Sequence, residues 1–374
     1  MQIDWVLVRF ENAARAVEFE FATAELHRQL PPGVRWLADN RDHELVDNVS
    51  IANSDVVLLL EHSLLALESR CLERLQFALV QGYDVVEACD SRHSAPMGAG
   101  GYATQRGMER YVDDFPLEVI SITPDAANTP LALVGLTTVG ALRQRAMHAP
   151  KVGRVCGAYA HDVSGYFGSD RSDVAAMVPE KTRKLLDVGG GEGNFLQLIK
   201  SRRGVETHLV EMDKAAAECA KSNGRADQVW VGDFLAFESP LAFDCISFLD
   251  MLEHVMEPER YLIHARQLLS TNGVVLASIP NVGHWSVVAD LIEGRWDYVP
   301  AGIHCITHLR FFTEKSIADL WERAGYTVER IERVLSPAPS DWCDLWGKSR
   351  GLTANRCSLD TYAFLIVGRP KGGV

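Results

Sequence analysis

From Leu185 onward, short apolar runs alternate with stretches of helical periodicity. Leu185-Leu186-Asp187-Val188 reads as a buried parallel strand that runs straight into Gly189-Gly190-Gly191-Glu192-Gly193. Phe195, Leu196, Leu198 and Ile199 then recur at helical spacing. Further strands are predicted at 208–210, 229–231, 243–249 and 274–279, the last stopped by Pro280. A helix is read across 252–269, followed by a turn at Asn272-Gly273. A second amphipathic helix covers 314–324 with Gly325 as its stop, and strands return at 326–334 and 361–367. Residues 335–358 read as an irregular insertion within that last pair. The pattern predicts an α/β fold, a doubly wound, Rossmann-like sheet of seven strands closed by an antiparallel hairpin.

The first 150 residues carry a dimmer version of the same alternation. Strands are expected at 34–37, 55–60 and 83–87, a helix at 72–80, and a polar loop across 94–116. Composition sharpens the division. No lysine precedes Lys151, and residues 1–150 hold 12 arginines against 21 acidic side chains. A length of 374 residues suits two domains, so the reading is a smaller N-terminal α/β domain at 1–150 and a larger one at 151–374. The net charge of −13, without any basic run, excludes a nucleic-acid partner and disfavours anionic membrane surfaces. No apolar run approaches the roughly 20 residues of a bilayer span. The start, MQIDWVLVRFENA, lacks the basic end and apolar length of a signal peptide, and the eight cysteines form no CxxC. Free thiols in a reducing, cytoplasmic compartment are expected. A homo-oligomer is compatible with all of this.

Chemistry concentrates at the predicted strand ends. Glycines at alternating positions permit a tight turn and close approach of a ligand to the main chain at a helix N-terminus. The second strand ends in Glu211, about twenty residues past the loop, where an acid would meet ribose hydroxyls. The third ends in Gly232-Asp233-Phe234 and the fourth in Asp250. Together these predict an adenosine site at the carboxyl edge of the sheet.

The strings LLDVGGGEGNF, LVEMD, VGDF, FDCISFLDMLEHV and GVVLASIPNVGHWSV carry a resemblance. From about residue 166 to 367 the chain resembles the class I S-adenosylmethionine-dependent methyltransferases. DMLEHV, IPNVGHWSV and THLRFFT are similar to the quinol-methylase-like branch that accompanies glycosyltransferases in bacterial glycan loci. The resemblance implies S-adenosylmethionine as methyl donor, with Gly189, Gly191 and Gly193 along its methionine part. It implies Glu211 at the ribose, Asp233 and Phe234 at the adenine, and Asp187, Gly190, Met212 and Asp250 within the same cofactor set. Relatives carry Asp-Arg ahead of THLRFFT, where this chain has Cys305-Ile306. In the first half, NSDVVLLLEHSLLALESRCLERLQFAL and GYDVVEACDSRHS resemble the middle of a family-2-like glycosyltransferase. There Glu61-His62-Ser63 replaces the expected acidic metal motif, which implies a degenerate module without sugar transfer.

Methyl transfer to oxygen is helped by a general base, and histidine has a suitable pKa. His254 is the first candidate, sharing a helix face with Asp250 if both are helical, and His284 is the second. Packing or capping is the structural alternative for both. His304 and His308 flank THLRFF and could line an acceptor pocket or simply pack and bond backbone, and Trp285, Trp296 and Tyr298 could form a platform for a sugar or aromatic ring or belong to the core. Arg171, after Tyr166-Phe167, could close over the cofactor. No metal ligands are assigned, although Asp250, Glu253 and His254 could supply them in a metal-assisted variant. The leading reading is O-methylation of a sugar hydroxyl on a glycan, glycolipid or glycosylated natural product. The alternatives are a small phenolic or quinol acceptor, or a non-catalytic cofactor-binding scaffold.

Overall fold

The computed structural model describes residues 2–10, 30–37, 50–62, 65–67, 70–90, 119–122, 134–144, 149–162, 171–298, 302–338 and 356–372. The chain divides into two compact units. One comprises Met1–Ser164 with Asp297–Pro300, the other Gly165–Trp296 with Ala301–Val374.

The first unit holds β1 (Trp5–Phe10), β2 (Arg35–Leu37), β3 (Val56–His62), β4 (Leu65–Leu67) and β5 (Val85–Asp90). It continues with β6 (Val119–Ile122), β7 (Val134–Thr138) and β8 (Val152–Asp162). Their order is β2-β1-β3-β7-β5-β8-β4, with β6 added on β8. β1, β2 and β3 are parallel, β7 runs against β3 and β5, and β8 is parallel to β5. Helix α1 (Cys71–Leu79) buries Cys71, Leu72, Leu75, Ala78 and Leu79. That is one stripe at helical spacing, and it packs with Val6, Leu58, Leu60 and Val86. A short α2 (Val139–Gln144) follows β7 directly. The lysine step falls at Lys151, whereas β8 just beyond it pairs along β5 and keeps 152–162 in this sheet. Ser63 and the loop expected at 94–116 lie outside the described residues.

The second unit alternates strand and helix. β9 (Lys184–Val188), α3 (Asn194–Arg203), β10 (Glu206–Glu211), α4 (Lys214–Ser222) and β11 (Gln228–Val231) come first. Then follow β12 (Phe243–Leu249), α5 (Pro258–Leu268), β13 (Leu269–Pro280), α6 (Trp285–Ile292) and α7 (Glu314–Arg323). β14 (Tyr326–Leu335), α8 (Arg356–Leu359) and β15 (Thr361–Pro370) complete it. The seven strands lie in the order β11-β10-β9-β12-β13-β15-β14, with β15 antiparallel to both its neighbours. This is the doubly wound, Rossmann-like sheet with an antiparallel edge that the periodicity predicts. Side chains alternate across β9: Leu186 and Val188 face a core with Phe234, Phe248, Leu262 and Trp321, while Leu185 faces Phe195, Leu196 and Ile199.

Three local readings change. The helix expected over 252–269 begins only at Pro258, because a ring nitrogen without N–H is tolerated in the first turn and not beyond it. Residues Leu252–His254 form a separate 3-10 turn. Asn272-Gly273 lie within β13 rather than in a turn, and the β12–β13 register shifts between Phe243 and Cys245 to accommodate them. Helix α6, unmarked in the pattern, buries Ser286 and Asp290 while leaving Leu291 and Ile292 exposed. Among the described residues Cys71, Cys219, Cys245, Cys305 and Cys357 are free thiols, and no helix is long and apolar enough to cross a membrane.

Candidate active site

The carboxyl ends of β9, β10 and β12 converge on the glycine loop. Gly189, Gly191 and Gly193 have φ of 70°, 55° and 77°, a left-handed backbone that glycine adopts without a Cβ penalty. A Cβ on Gly189 would lie 2.8 Å from Met251 Cγ, and one on Gly190 would lie 2.8 Å from Asp187 Cγ and 2.9 Å from Leu209 Cδ1. The loop is therefore shaped by contact from both sides. Glu211 fixes it from the neighbouring strand. Its Oε2 accepts from Gly191 N at 2.8 Å and its Oε1 from Asp213 N at 2.8 Å. Glu211 is only 6% exposed, and burial pushes its carboxyl upward against the pull of these two backbone bonds. Met212 beside it is 66% exposed, an apolar side chain left open at the rim.

Asp187 is buried at the end of β9. Ser247 Oγ donates to its Oδ1 at 2.6 Å, while Oδ2 has no hydrogen-bond partner among the described residues. Burial raises its pKa to about 7, opposed by the Ser247 bond and by Arg171 and reinforced by Glu211. Asp233 accepts from Leu235 N at 3.0 Å and from Tyr261 Oη at 3.0 Å. Phe234 points away from the strand edge, with its ring packed edge-on against Phe248 and stacked on Tyr261. Only its backbone is available to a ligand at this edge.

Asp250 leaves β12 with φ of 51°, outside any helix, so it shares no helix face with His254. Its carboxylate is drawn instead to Arg171, whose Nη1 lies 2.5 Å from Oδ2, and to Ser278, whose Oγ donates to Oδ1 at 2.7 Å. Arg171 has φ of 46° and also pairs with Asp173 at 3.0 Å. Two non-glycine residues in left-handed backbone thus hold one another across the site. Sequence reasoning overlooked Ser247 and Ser278; small polar residues inside otherwise apolar strands were the available signal.

One turn beyond Asp250, Glu253 is 1% exposed and neither carboxylate oxygen has a hydrogen-bond partner among the described residues. Burial holds its carboxyl well above the usual range. Its backbone carbonyl accepts from Leu309 N at 2.8 Å and Arg310 N at 3.0 Å, which brings the 303–310 segment onto the turn. His254 Nδ1 lies 3.2 Å from Thr307 O and His308 Nδ1 2.9 Å from Ile303 O. The two rings meet edge to face at 4.6 Å. Burial lowers both imidazoles, His308 to about 4, so both are neutral at pH 7.

His284 is used differently. It caps α6, with Nδ1 2.8 Å from Ser286 Oγ and Nε2 3.0 Å from Ser336 O, and burial lowers it to about 4. The Trp285 indole N–H donates to the same Ser336 carbonyl at 3.0 Å, whereas Trp296 packs at 4.1 Å on the buried His304. These two indoles have separate partners, and Tyr298 is half-exposed. Tyr166 and Phe167 lie outside the described residues.

Comparison with known proteins adds to this geometry. The profile of a methyltransferase domain family matches residues 159–331. The ubiquinone biosynthesis O-methyltransferase of Roseobacter denitrificans is 30% identical over 183 residues, covering 46% of this chain and 71% of that protein. The same enzyme of Cereibacter sphaeroides is 26% identical over 178 residues, with the same coverage. An O-methyltransferase of neocarzinostatin biosynthesis, solved with S-adenosyl-L-homocysteine and 1,4-dihydroxy-2-naphthoic acid, has a TM-score of 0.38 at 17% identity over 56% of each chain. The sheet order, the glycine loop with its strand-end acids and the kinship to these quinone-pathway enzymes agree: the chain belongs to the class I S-adenosylmethionine-dependent methyltransferases, and S-adenosylmethionine is its methyl donor.

Proposed function

We propose that the protein methylates a hydroxyl oxygen of a small phenolic or quinol-like acceptor. The observation that carries this is the 303–310 segment, where Ile306 and Leu309 stand exposed on either side of the buried His308. Two exposed apolar side chains beside a buried polar cluster suit a flat ring that carries a hydroxyl. The exposed Ile306, where relatives carry a charged residue, adds to the apolar surface. Two ubiquinone-pathway relatives support the same acceptor class.

The cofactor suits the cradle on this structure's own terms. The Cβ space at Gly189 and Gly190 is taken by Met251 and Asp187, which holds the loop in this turn, and the buried Asp187 Oδ2 beside it lacks a partner among the described residues. In this reading Gly189, Gly190, Gly191 and Gly193 line the methionine part, with Asp187 and Asp250 at its ends. Glu211 has lone pairs left for ribose hydroxyls after its two backbone bonds. Met212 covers one face of the adenine, and Asp233 with the Phe234 backbone reads its edge.

S-adenosylmethionine supplies an electrophilic methyl on a sulfonium sulfur. The residues contribute alignment first, since holding acceptor oxygen, methyl and sulfur in line removes much of the barrier. When bound, the cofactor would supply the methyl group, and the proton of the acceptor hydroxyl would have to pass to a side chain. The Glu253, His254 and His308 cluster governs that proton. Met251, against the glycine loop, joins Asp250 to this turn and so brings the cluster beside the cofactor cradle.

A panel of catechols, hydroxybenzoates and quinols, run against monosaccharides and glycosides with purified protein and labelled cofactor, tests the proposal. Methyl ethers on phenolic oxygens are expected. Turnover confined to sugars would move the acceptor to the sugar hydroxyl that the sequence suggests and discard the phenolic reading.

A further inference from the structure

Tyr362 stands at the start of β15, which runs against β13 and so begins at the carboxyl edge where the glycine loop lies. We infer that Tyr362 binds the acceptor, its hydroxyl donating a hydrogen bond to the oxygen that receives the methyl. The inference rests on the function proposed above, because it places a further residue on the same acceptor.

Three observations carry it. First, the residue is fixed in place. Asn281, just past β13, donates from its backbone N to Tyr362 O at 2.8 Å, and from Nδ2 to Thr361 O at 2.7 Å. The ring meets His284 edge to face at 5.7 Å, and that imidazole is itself held by Ser286 and Ser336. Second, the hydroxyl makes no hydrogen bond among the described residues. The tyrosines buried in the core of this unit do: Tyr261 donates to Asp233 at 3.0 Å and Tyr326 to Leu262 O at 2.9 Å. A tyrosine hydroxyl inside a protein ordinarily finds a partner, so one without a partner points to a ligand. Third, the ionisable groups near enough to act on the phenol electrostatically are Asp250, Cys305, Arg171 and Glu253. They come from the end of β12, the turn after it, the 303–310 segment and the stretch before β9. The hydroxyl therefore looks into the site.

The same surroundings fix the direction of the bond. Desolvation pushes the phenol up to about 12, reinforced by Asp250 and Cys305, so the oxygen keeps its proton at pH 7 and donates. The residue is part-exposed all the same, so it borders a recess and not bulk water. Position separates acceptor from cofactor. β15 lies three strands from β9, roughly 14 Å at ordinary strand spacing, whereas the cradle is built on β9 and β10. A donor at that place holds one lone pair of the acceptor oxygen and leaves the other for the methyl.

The test compares the full chain with Tyr362→Phe, which keeps the ring against His284 and removes only the oxygen. Each is assayed on the hydroxyl acceptor that the panel above turns over best, and on the same molecule with sulfur in place of that oxygen. Sulfur accepts hydrogen bonds weakly, so the Tyr362 hydroxyl helps the oxygen acceptor far more. Tyr362→Phe should lower kcat/KM on the oxygen acceptor by about tenfold or more, and on the sulfur acceptor by less than about threefold. Calorimetric affinity for S-adenosylmethionine should stay nearly unchanged. An unchanged kcat/KM on oxygen overturns the inference, and so do equal losses on oxygen and sulfur, because a packing defect lowers both alike. If the best acceptor is a sugar and the oxygen-selective loss still appears, the inference stands and the phenolic reading falls. Phenol turnover that Tyr362→Phe leaves intact does the reverse, and no methyl transfer to any member of the panel overturns both.

Discussion

Replacing His254 by alanine is expected to lower methyl transfer by roughly 10²–10⁴-fold, the range for a group that handles the reacting proton. Cofactor affinity should change by less than about twofold, because His254 is not among the residues assigned to the cradle and its ring is turned to Thr307 and His308. The ring is held by Thr307 O and meets His308 edge to face, so its removal empties the middle of the cluster without touching the glycine loop. His284→Ala gives the contrast. That ring caps α6 and bonds the Ser336 carbonyl, so its loss should appear as about 0.5–2 kcal/mol of lost stability in urea unfolding. Full turnover in folded His254→Ala would remove the cluster from the mechanism.

Gly190→Ala is expected to abolish cofactor binding while the protein still folds. The added methyl would run into the Asp187 carboxylate and lie 2.9 Å from Leu209 Cδ1. Asp187 is held by Ser247, and Leu209 is in the core, so neither can retreat without moving a strand. The loop must shift instead, and Gly191 N would leave Glu211 Oε2. Equilibrium dialysis with labelled cofactor measures the loss, and far-UV circular dichroism shows whether the fold is kept. Undiminished binding would mean that the ligand does not approach this loop.

The second unit was legible in the sequence because most of its strands are short apolar runs that end in Gly, Asp or Glu, and β12 is read to the residue. Helix α6 was not legible. It buries Ser286 and Asp290 and exposes Leu291 and Ile292, so the periodicity that marks an amphipathic helix is reversed at its end. The helix over 252–269 was overextended because apolar spacing continues through the 3-10 turn; only Pro258 marks the true start. The long-range part of the site was hidden for a different reason. Asp250 meets Arg171 across 79 positions and His254 meets Thr307 O across 53. No local pattern encodes such pairs. The first unit was least legible, since β7 and β8 flank β5 out of sequence order, β6 is added on β8, and the regular strand–helix rhythm is lacking.

The central claim is that S-adenosylmethionine binds with its ribose on Glu211. Calorimetric titration of the cofactor into wild type and Glu211→Ala tests it directly. The wild type should bind one equivalent, and the variant should be weaker by about 1–3 kcal/mol, the loss of charge-assisted bonds to the ribose together with the anchor on Gly191 N. Equal affinities in the two proteins would contradict the account.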